Sequence, residues 1–105
     1  MTQRDRPPVH PGMTLKEDVM EGLDLNASEV GRILGIPANR ISEITRGRRS
    51  ITADTALRLA EWLGTSAEFW LRLQEKYDLE LIRMERGEEI KRQVTERRVV
   101  ASVHR

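Results

Sequence analysis

The stretch Asn26–Ser50, NASEVGRILGIPANRISEITRGRRS, decides the fold because it contains the pattern of two short helices joined by a tight turn. Asn26 stands where a helix N-cap is expected, and Glu29, three residues later, completes a capping-box arrangement. The apolar face of the helix that follows consists of Ala27, Val30, Gly31 and Leu34. These spacings of i, i+3, i+4 and i+7 predict a helix that begins after Asn26 and buries one face.

The second half of this stretch predicts another short helix. Gly35-Ile36-Pro37 interrupts the first pattern, and the proline suits the first position of a helix, where its missing N–H leaves no hydrogen bond unmade. The new helix spans about residues 38–46 with Ile41 and Ile44 on its buried side, and Gly47 ends it. Two helices of about eight residues, joined by a three-residue turn that contains glycine, are typical of the DNA-binding helix-turn-helix.

Helical patterns also flank this motif. The apolar spacing predicts a first helix over Met13–Glu21, a fourth helix that Thr52 caps and Gly64 ends, and a fifth that begins after Ser66. Alternation of period two is confined to residues 99–103, which fit a short strand or no element. The prediction is an all-α fold: a compact five-helix domain over residues 13–79, an N-terminal arm over residues 1–12, and a helical extension with a basic tail over residues 80–105.

The net charge of +1 conceals a segmented charge distribution. Residues 39–50 hold four arginines and one acid, residues 75–89 hold six acids and three bases, and residues 91–105 hold five bases and one acid. A local basic patch is what phosphate binding needs, because each neutralised phosphate releases counterions. The low total charge therefore does not argue against a nucleic-acid partner.

Composition excludes several other classes of protein. The 105 residues, of which 38% are hydrophobic, fit one domain. The chain has no cysteine, and its two histidines, His10 and His104, lie near opposite ends. This argues against structural zinc, thiol catalysis and any metal or cofactor site. No apolar run approaches the roughly 18 residues of a membrane span or forms the core of a secretory signal, so we expect a cytoplasmic protein.

Signs of catalysis are also few. Adjacent carboxylates such as Glu88-Glu89 splay apart on a helix, which makes them solvated charges rather than an acid–base pair. Neither histidine has a positioned partner for a Ser-His-Asp arrangement, and a glycine-rich phosphate loop is absent from the sequence. We therefore expect neither enzymatic activity nor a small-molecule substrate.

The outer side of the third helix carries side chains suited to base edges. Because Ile41 and Ile44 point inward, its outer positions are available to DNA. They are Ala38, Asn39, Arg40, Ser42 and Glu43. In the major groove, Asn bonds bidentately to adenine, Arg to guanine, and Glu accepts from cytosine. We expect these five residues to read bases; the alternative is an ordinary solvated helix face.

A second set of residues suits phosphate oxygens instead. Its members stand at the mouth of a helix or in the loop after the third helix, where guanidinium groups and free backbone N–H groups meet anionic oxygens. They are Asn26, Arg46, Arg48, Arg49 and Ser50. We expect them to contact the DNA backbone; the alternative is a solubilising loop.

The fifth helix has an apolar stripe too wide for one face. Its aromatic residues and leucines fit core and subunit packing better than a stacking platform for single-stranded bases. We expect a homodimer that places two recognition helices on a two-fold-related DNA site. The expected interface residues are Phe69, Trp70, Leu73 and Tyr77.

Three blocks of the sequence resemble a known family. They are His10-Pro11-Gly12, residues 46–58 and the segment TSAEFWL over residues 65–71, within a match that covers roughly residues 10–79. These blocks resemble the HigA/VapI-type antitoxins of bacterial toxin–antitoxin modules, a branch of the Xre/Cro (lambda-repressor-like) helix-turn-helix superfamily. The resemblance implies a homodimer that binds the operator of its own operon. It also implies that the protein neutralises a HigB-like toxin, an mRNA-cleaving ribonuclease of the RelE type.

The resemblance also implies where DNA contacts fall. Base reading is implied at Ala38, Asn39, Ser42 and Glu43, and backbone contacts at Asn26, Arg46 and the loop RGRRS. Members of the superfamily often have Gln at positions 27 and 38, where this chain has Ala. This departure shifts the expected base reading toward Asn39, Arg40 and Glu43.

Several alternatives stay open at this point. The chain fits an Xre-family transcription regulator, or a toxin-binding scaffold with weak DNA affinity; an enzyme is remote. The basic segment from Lys91 onward fits a DNA-grazing arm, a toxin-facing segment that orders on binding, or a solvated end. A solvated, disordered end ranks first because charge-rich termini are usually disordered.

Overall fold

A computed structural model describes the backbone of residues 6–103 and the side chains of residues 6–98. Every regular element in this part of the chain is helical, which confirms the all-α prediction. The elements are α1 (Pro11–Thr14), a π-helical segment (Leu15–Met20), α2 (Glu21–Leu23), α3 (Ala27–Leu34), α4 (Ala38–Thr45), α5 (Ala53–Leu63) and α6 (Ala67–Val103). The predicted second, third, fourth and fifth helices correspond to α3, α4, α5 and α6.

The first three elements follow one another without a break and form one helical rod. The rod begins at Pro11 rather than at the predicted Met13. At the end of the π-helical segment, the Glu21 N–H donates to the Lys16 carbonyl five residues earlier. This wider turn lets Leu15 and Met20, which are also five residues apart, both reach the core. With the rod counted as one helix, the described residues contain the five predicted helices.

The core lies between α4 and the helices that surround it. α3 packs against α4 and α5, α1 contacts α4 and α6, and α5 packs against α6. The buried apolar residues are Leu15, Met20, Val30, Leu34, Ile36, Ile41, Ile44, Ile51, Ala56, Leu59 and Trp70. Ile41 and Ile44 are fully buried, as predicted, so α4 is held in place from its inner side.

Most predicted helix ends are present in the structure. The Asn26 side chain accepts from the Glu29 N–H at 2.8 Å, and the Glu29 carboxylate accepts from the Asn26 N–H at 2.9 Å, which completes the capping box. The side chains of Thr52 and Ser66 cap α5 and α6 as predicted. The prediction for Pro37 is wrong by one position. With ψ of 143° its backbone is extended, so it is the N-cap and α4 begins at Ala38.

α6 includes the end of the predicted five-helix domain and most of the predicted helical extension. It runs for 37 residues to Val103, with no break at the predicted boundary between residues 79 and 80. A helix of this length spans about 55 Å at 1.5 Å per residue, close to the molecule's longest dimension of 59 Å. Residues 99–103, which fitted a short strand or no element, belong to α6 instead. A lone short strand has no partner for its backbone groups, whereas a helix satisfies them internally.

The described part of the tail is also helical. Residues 91–98 are exposed to solvent, as expected of a charged segment, but they continue α6 instead of being disordered. Residues 1–5 of the predicted arm and residues 104–105 of the tail lie outside the described residues. Among residues 6–103, no helix has the combination of length and apolar character needed to cross a bilayer.

Candidate nucleic-acid interface

α4 presents a polar outer face to solvent. Its inner side carries the fully buried Ile41 and Ile44, which fixes the rotation of the helix. Asn39 and Arg40 are exposed, and neither side chain makes a hydrogen bond or ion pair within residues 6–98. The partly exposed residues on the same helix are Ala38, Ser42 and Glu43. All five predicted base-reading residues therefore keep exposed surface away from the core.

The arginine-rich loop, residues 46–50, projects directly from the end of α4. Backbone N–H groups of the loop satisfy the last carbonyls of the helix: Arg46 donates to Ser42 at 3.1 Å, and Gly47 donates to Ile44 at 3.0 Å. Gly47 has φ of 74°, a left-handed conformation that favours glycine. The predicted phosphate-binding residues of this loop, all exposed, are Arg46, Arg48, Arg49 and Ser50.

One ion pair joins the two predicted contact sets. Arg49 Nε lies 2.7 Å from Glu43 Oε1, and the two side chains are 49% and 40% exposed. Such an exposed pair contributes at most about 1 kcal/mol, so DNA phosphate or a base edge competes with it readily. The pair uses one of the five guanidinium N–H donors, which leaves the others for an anion.

Asn26 lies apart from the loop, at the start of α3. Its side-chain oxygen is committed to the Glu29 N–H of the capping box. Within residues 6–98, no hydrogen bond connects Asn26 to the arginine-rich loop. Its amide NH₂ group remains a donor at the positive end of the α3 dipole, which suits one phosphate oxygen.

His10 packs against the arginine-rich loop, a role that the sequence analysis missed because it placed residues 1–12 in an N-terminal arm. Its Nδ1 accepts from the Gly12 N–H at 2.9 Å and so caps α1. Its ring meets the edge of Tyr77 in α6, with centroids 4.9 Å apart, and lies beside Gly47 of the loop. One imidazole therefore connects the first helix, the last helix and the loop.

The environment of His10 favours the neutral ring. Burial lowers the pKa of His10, while the negative charge of Asp78 and a hydrogen bond to the Arg49 backbone act in the opposite direction. Because Nδ1 accepts from Gly12, the neutral ring carries its proton on Nε2. Protonation at Nδ1 would convert this acceptor into a donor and remove the cap of α1.

Gly12 is a glycine because α1 approaches the last turn of α4 very closely. A Cβ atom at this position would lie 1.8 Å from the Ile44 carbonyl oxygen, a backbone atom that cannot move aside. Pro11 and Gly12 are both buried at this contact. The sequence block His10-Pro11-Gly12 thus supports the inner side of α4 and the base of the loop.

Gln74 in α6 holds the far end of the loop, and sequence reasoning missed it too. Only 6% of the residue is exposed. Its Oε1 accepts from the Ile51 N–H at 2.8 Å, and its Nε2 donates to Asp78 Oδ1 at 3.0 Å. A usable signal was present, since a glutamine four residues after Trp70 and three before Tyr77 places a polar group on a buried helix face.

Known proteins are similar to this chain in sequence and in structure. A family described as helix-turn-helix matches residues 17–70. Virulence-associated protein I of Dichelobacter nodosus is 40% identical over 79 residues, which cover 75% of this chain and 73% of that protein. A HigA-family addiction module antidote protein from Coxiella burnetii superposes with a TM-score of 0.79 at 44% identity, over 83% of this chain and 95% of that one.

A second solved structure shows a similar protein with DNA. The antitoxin HigA of Pseudomonas aeruginosa, solved with the higBA promoter, is 34% identical, with a TM-score of 0.79 over 81% of this chain and 92% of that one. The chain belongs to the HigA-type antitoxins of the Xre helix-turn-helix superfamily. The helix-turn-helix match of this HigA-type chain includes α4 and the arginine-rich loop, whereas His10 and Gln74 lie outside it.

The residues expected at a HigA-type dimer interface occupy different environments. Trp70 is 1% exposed, and its indole N–H donates to Thr65 Oγ1 at 2.9 Å, so it is a core residue with no surface for a second subunit. Its assignment to an interface is therefore wrong. Phe69 is 40% exposed, whereas Leu73 is partly buried against the core and Tyr77 contacts His10. Phe69 alone among the four keeps a large exposed surface.

Proposed function

We propose that this HigA-type antitoxin binds the operator of its own operon in a sequence-specific manner and represses it. The observation that carries the proposal is the surface of α4, whose outer face is exposed and polar and leads directly into four exposed residues of the arginine-rich loop. A helix held rigidly from its inner side suits insertion into the major groove. The promoter complex of the similar P. aeruginosa HigA supports the same partner class.

The proposal includes two kinds of contact with DNA, to base edges and to the phosphate backbone. Asn39, Arg40 and Glu43 read base edges, because each has bidentate or acceptor groups that match one base. The methyl group of Ala38 suits contact with a thymine methyl, and the Ser42 hydroxyl can donate to or accept from a base edge. The backbone contacts come from Asn26, Arg46, Arg48, Arg49 and Ser50, whose groups fix position without reading sequence.

We also infer that the protein is a homodimer that neutralises a HigB-like, RelE-type mRNA-cleaving toxin by direct binding. Membership of the HigA-type family supports both inferences. A dimer presents two α4 helices to a two-fold-related operator, which matches protein symmetry to DNA symmetry.

The operator proposal is tested by removing the three loop arginines together, with Arg46→Ala, Arg48→Ala and Arg49→Ala in one variant. Each charge-assisted contact contributes about 1 kcal/mol or more, so operator affinity in a gel-shift assay should fall at least tenfold. The loss should extend to random duplex and flatten the salt dependence, because these are phosphate contacts.

A matched control removes three exposed arginines elsewhere, with Arg32→Ala, Arg72→Ala and Arg83→Ala. It changes the net charge equally and should alter operator affinity far less. Unchanged binding in the loop variant, at an unchanged melting temperature, would remove the DNA-binding proposal.

The toxin proposal is tested with the gene that adjoins this one. Its product should arrest growth when expressed alone, and co-expression of this chain should restore growth. Growth rescue by the loop-arginine variant, measured beside its operator binding, shows whether the two activities use the same residues. Rescue by a wild-type chain that binds no operator would favour a toxin-binding scaffold, and a harmless neighbouring product would contradict neutralisation of a toxin encoded beside this gene.

A further inference from the structure

The arginine-rich loop folds back onto Glu43, in the last turn of α4. The Arg48 backbone N–H donates to the Glu43 carbonyl oxygen at 2.8 Å, and the Arg49 Nε–H donates to Glu43 Oε1 at 2.7 Å. One contact is made by the backbone and the other by the side chains, and both join the loop to the same residue of α4. The Glu43 carboxylate therefore has a cationic partner at a defined place beside the helix.

The ion pair leaves groups free for DNA on both of its members. Arg49 Nε contacts Oε1 of Glu43, and no hydrogen bond to Oε2 forms within residues 6–98. Oε2 is therefore available as an acceptor, which is the group that the N4 amino group of cytosine requires. The remaining N–H donors of the guanidinium suit phosphate oxygens. The pair can thus bind a base edge and the DNA backbone at the same time.

A carboxylate that approaches DNA needs such a partner. Its negative charge is repelled by the phosphates that flank the groove, and its loss of hydration there is costly unless another group compensates for it. Arg49 supplies a positive charge 2.7 Å from Glu43. The attraction between the two charges increases as DNA excludes water, because the effective dielectric constant falls. The pair therefore contributes more in a DNA complex than its exposure in the free protein suggests.

The side chains of the other two loop arginines lack this contact. Arg46 and Arg48 are exposed, and their side chains make no hydrogen bond or ion pair within residues 6–98. They are free to meet phosphates, but neither side chain contacts a residue on the outer face of α4. Arg49 is therefore the loop arginine whose side chain bears directly on a residue expected to read a base.

We propose that Arg49 is a positioning residue for sequence reading. It holds the Glu43 carboxylate toward the N4 amino group of a cytosine while its remaining donors bind an operator phosphate. Arg49 therefore contributes to specificity as well as to affinity, whereas Arg46 and Arg48 contribute to affinity alone. The inference rests on the operator binding proposed above, and it assigns one base to Glu43.

The base assigned to Glu43 is tested by replacing each base pair of the operator duplex in turn and measuring affinity by fluorescence anisotropy. One position should require cytosine, and its replacement should weaken wild-type binding by about tenfold. Glu43→Gln should move the preference at that position from cytosine to adenine, since glutamine pairs bidentately with adenine. A Glu43→Gln protein with every base preference of the wild type would overturn the proposal.

The role of Arg49 is tested with Arg49→Lys, which keeps a positive charge for a phosphate but lacks the planar fork that reaches two groups. Discrimination at the cytosine position should fall by about threefold or more, while the salt dependence of binding stays close to that of the wild type. The matched control is Arg48→Lys, which should leave the discrimination unchanged. Both residues are exposed, so the melting temperatures should equal that of the wild type.

A double-mutant cycle distinguishes this pairing from two independent DNA contacts. In a Glu43→Ala background, Arg49→Lys should have no further effect on base discrimination, because the carboxylate that it positions is gone. Additive effects would overturn the proposal, as would equal discrimination by Arg49→Lys and the wild type. A wild-type chain that binds every duplex equally would contradict the proposed operator binding itself, so the two failures are distinguishable.

Discussion

α4 and the arginine-rich loop form adjoining surfaces, but the protein holds them in place in different ways. α4 is fixed by its own hydrogen bonds and by the fully buried Ile41 and Ile44. The loop lacks the regular internal hydrogen bonds of a helix. Its position depends instead on His10 near the N-terminus and on Gln74 in α6. Specific reading and phosphate binding should therefore respond to different mutations, some of them far from the DNA.

The largest effect on stability is expected at the close contact between α1 and the last turn of α4. Gly12→Ala places a methyl group 1.8 Å from the Ile44 carbonyl oxygen, and a backbone atom cannot yield to it cheaply. The free energy of unfolding, measured with urea, should fall by about 3 kcal/mol or more. Operator affinity should fall as well, because the shift moves the end of α4.

The matched control for Gly12 is Gly22→Ala, a position where an added Cβ meets no atom within 4 Å. Stability there should stay the same or rise by up to about 1 kcal/mol, since alanine is the better helix former. Equal stability of the two variants would show that the close contact between α1 and α4 does not matter.

Gln74→Ala removes a contact that holds the arginine-rich loop and leaves α4 intact. It strands the buried Ile51 N–H without an acceptor, which should cost about 1–3 kcal/mol of unfolding free energy. Affinity for operator and for random duplex should fall together, because the loop contacts phosphates. Glu75→Ala, at the exposed neighbouring position, should change neither quantity. Loss of specificity without loss of overall affinity would contradict the division between helix and loop.

Asn39→Ala tests the helix side of the comparison. It should weaken operator binding by about 1–3 kcal/mol and random-duplex binding hardly at all, because only a base contact carries sequence information. Thermal stability should be unchanged, since the Asn39 side chain is exposed and makes no polar contact within residues 6–98. Equal losses on both duplexes would make Asn39 a backbone contact instead of a base reader.

The sequence predicted the parts of this interface that depend on local chemistry. The Asn26–Glu29 capping box and the inward isoleucines of α4 follow from spacing within a few residues. The residues that hold the loop could not be predicted from local spacing. His10 and Gln74 contact residues far from them in the sequence, and neither residue type is a typical loop anchor. The apolar stripe of α6 looked too wide for one face because it combines residues with different surroundings. Trp70 is buried in the core, whereas Ile82 is 38% exposed.

The smallest effect on stability is expected when a change of pH protonates His10. Its pKa is lowered in the folded protein, so the unfolded chain binds the proton more readily. The His10 contribution to stability is therefore fully present above the ordinary histidine pKa of 6.5 and is lost progressively as the pH falls below it. His10→Asn keeps a capping acceptor without titrating, so its stability should change less over this range. Parallel pH profiles of the two proteins would contradict this role.

The most direct test of the account is a titration of ¹⁵N-labelled protein with the operator duplex, followed by NMR amide shifts. The account predicts that the largest changes cluster in residues 39–43 and 46–50, with little change in residues 79–98 of α6. Shifts concentrated in that part of α6, with α4 and the arginine-rich loop unaffected, would contradict the claim that the outer face of α4 meets the DNA.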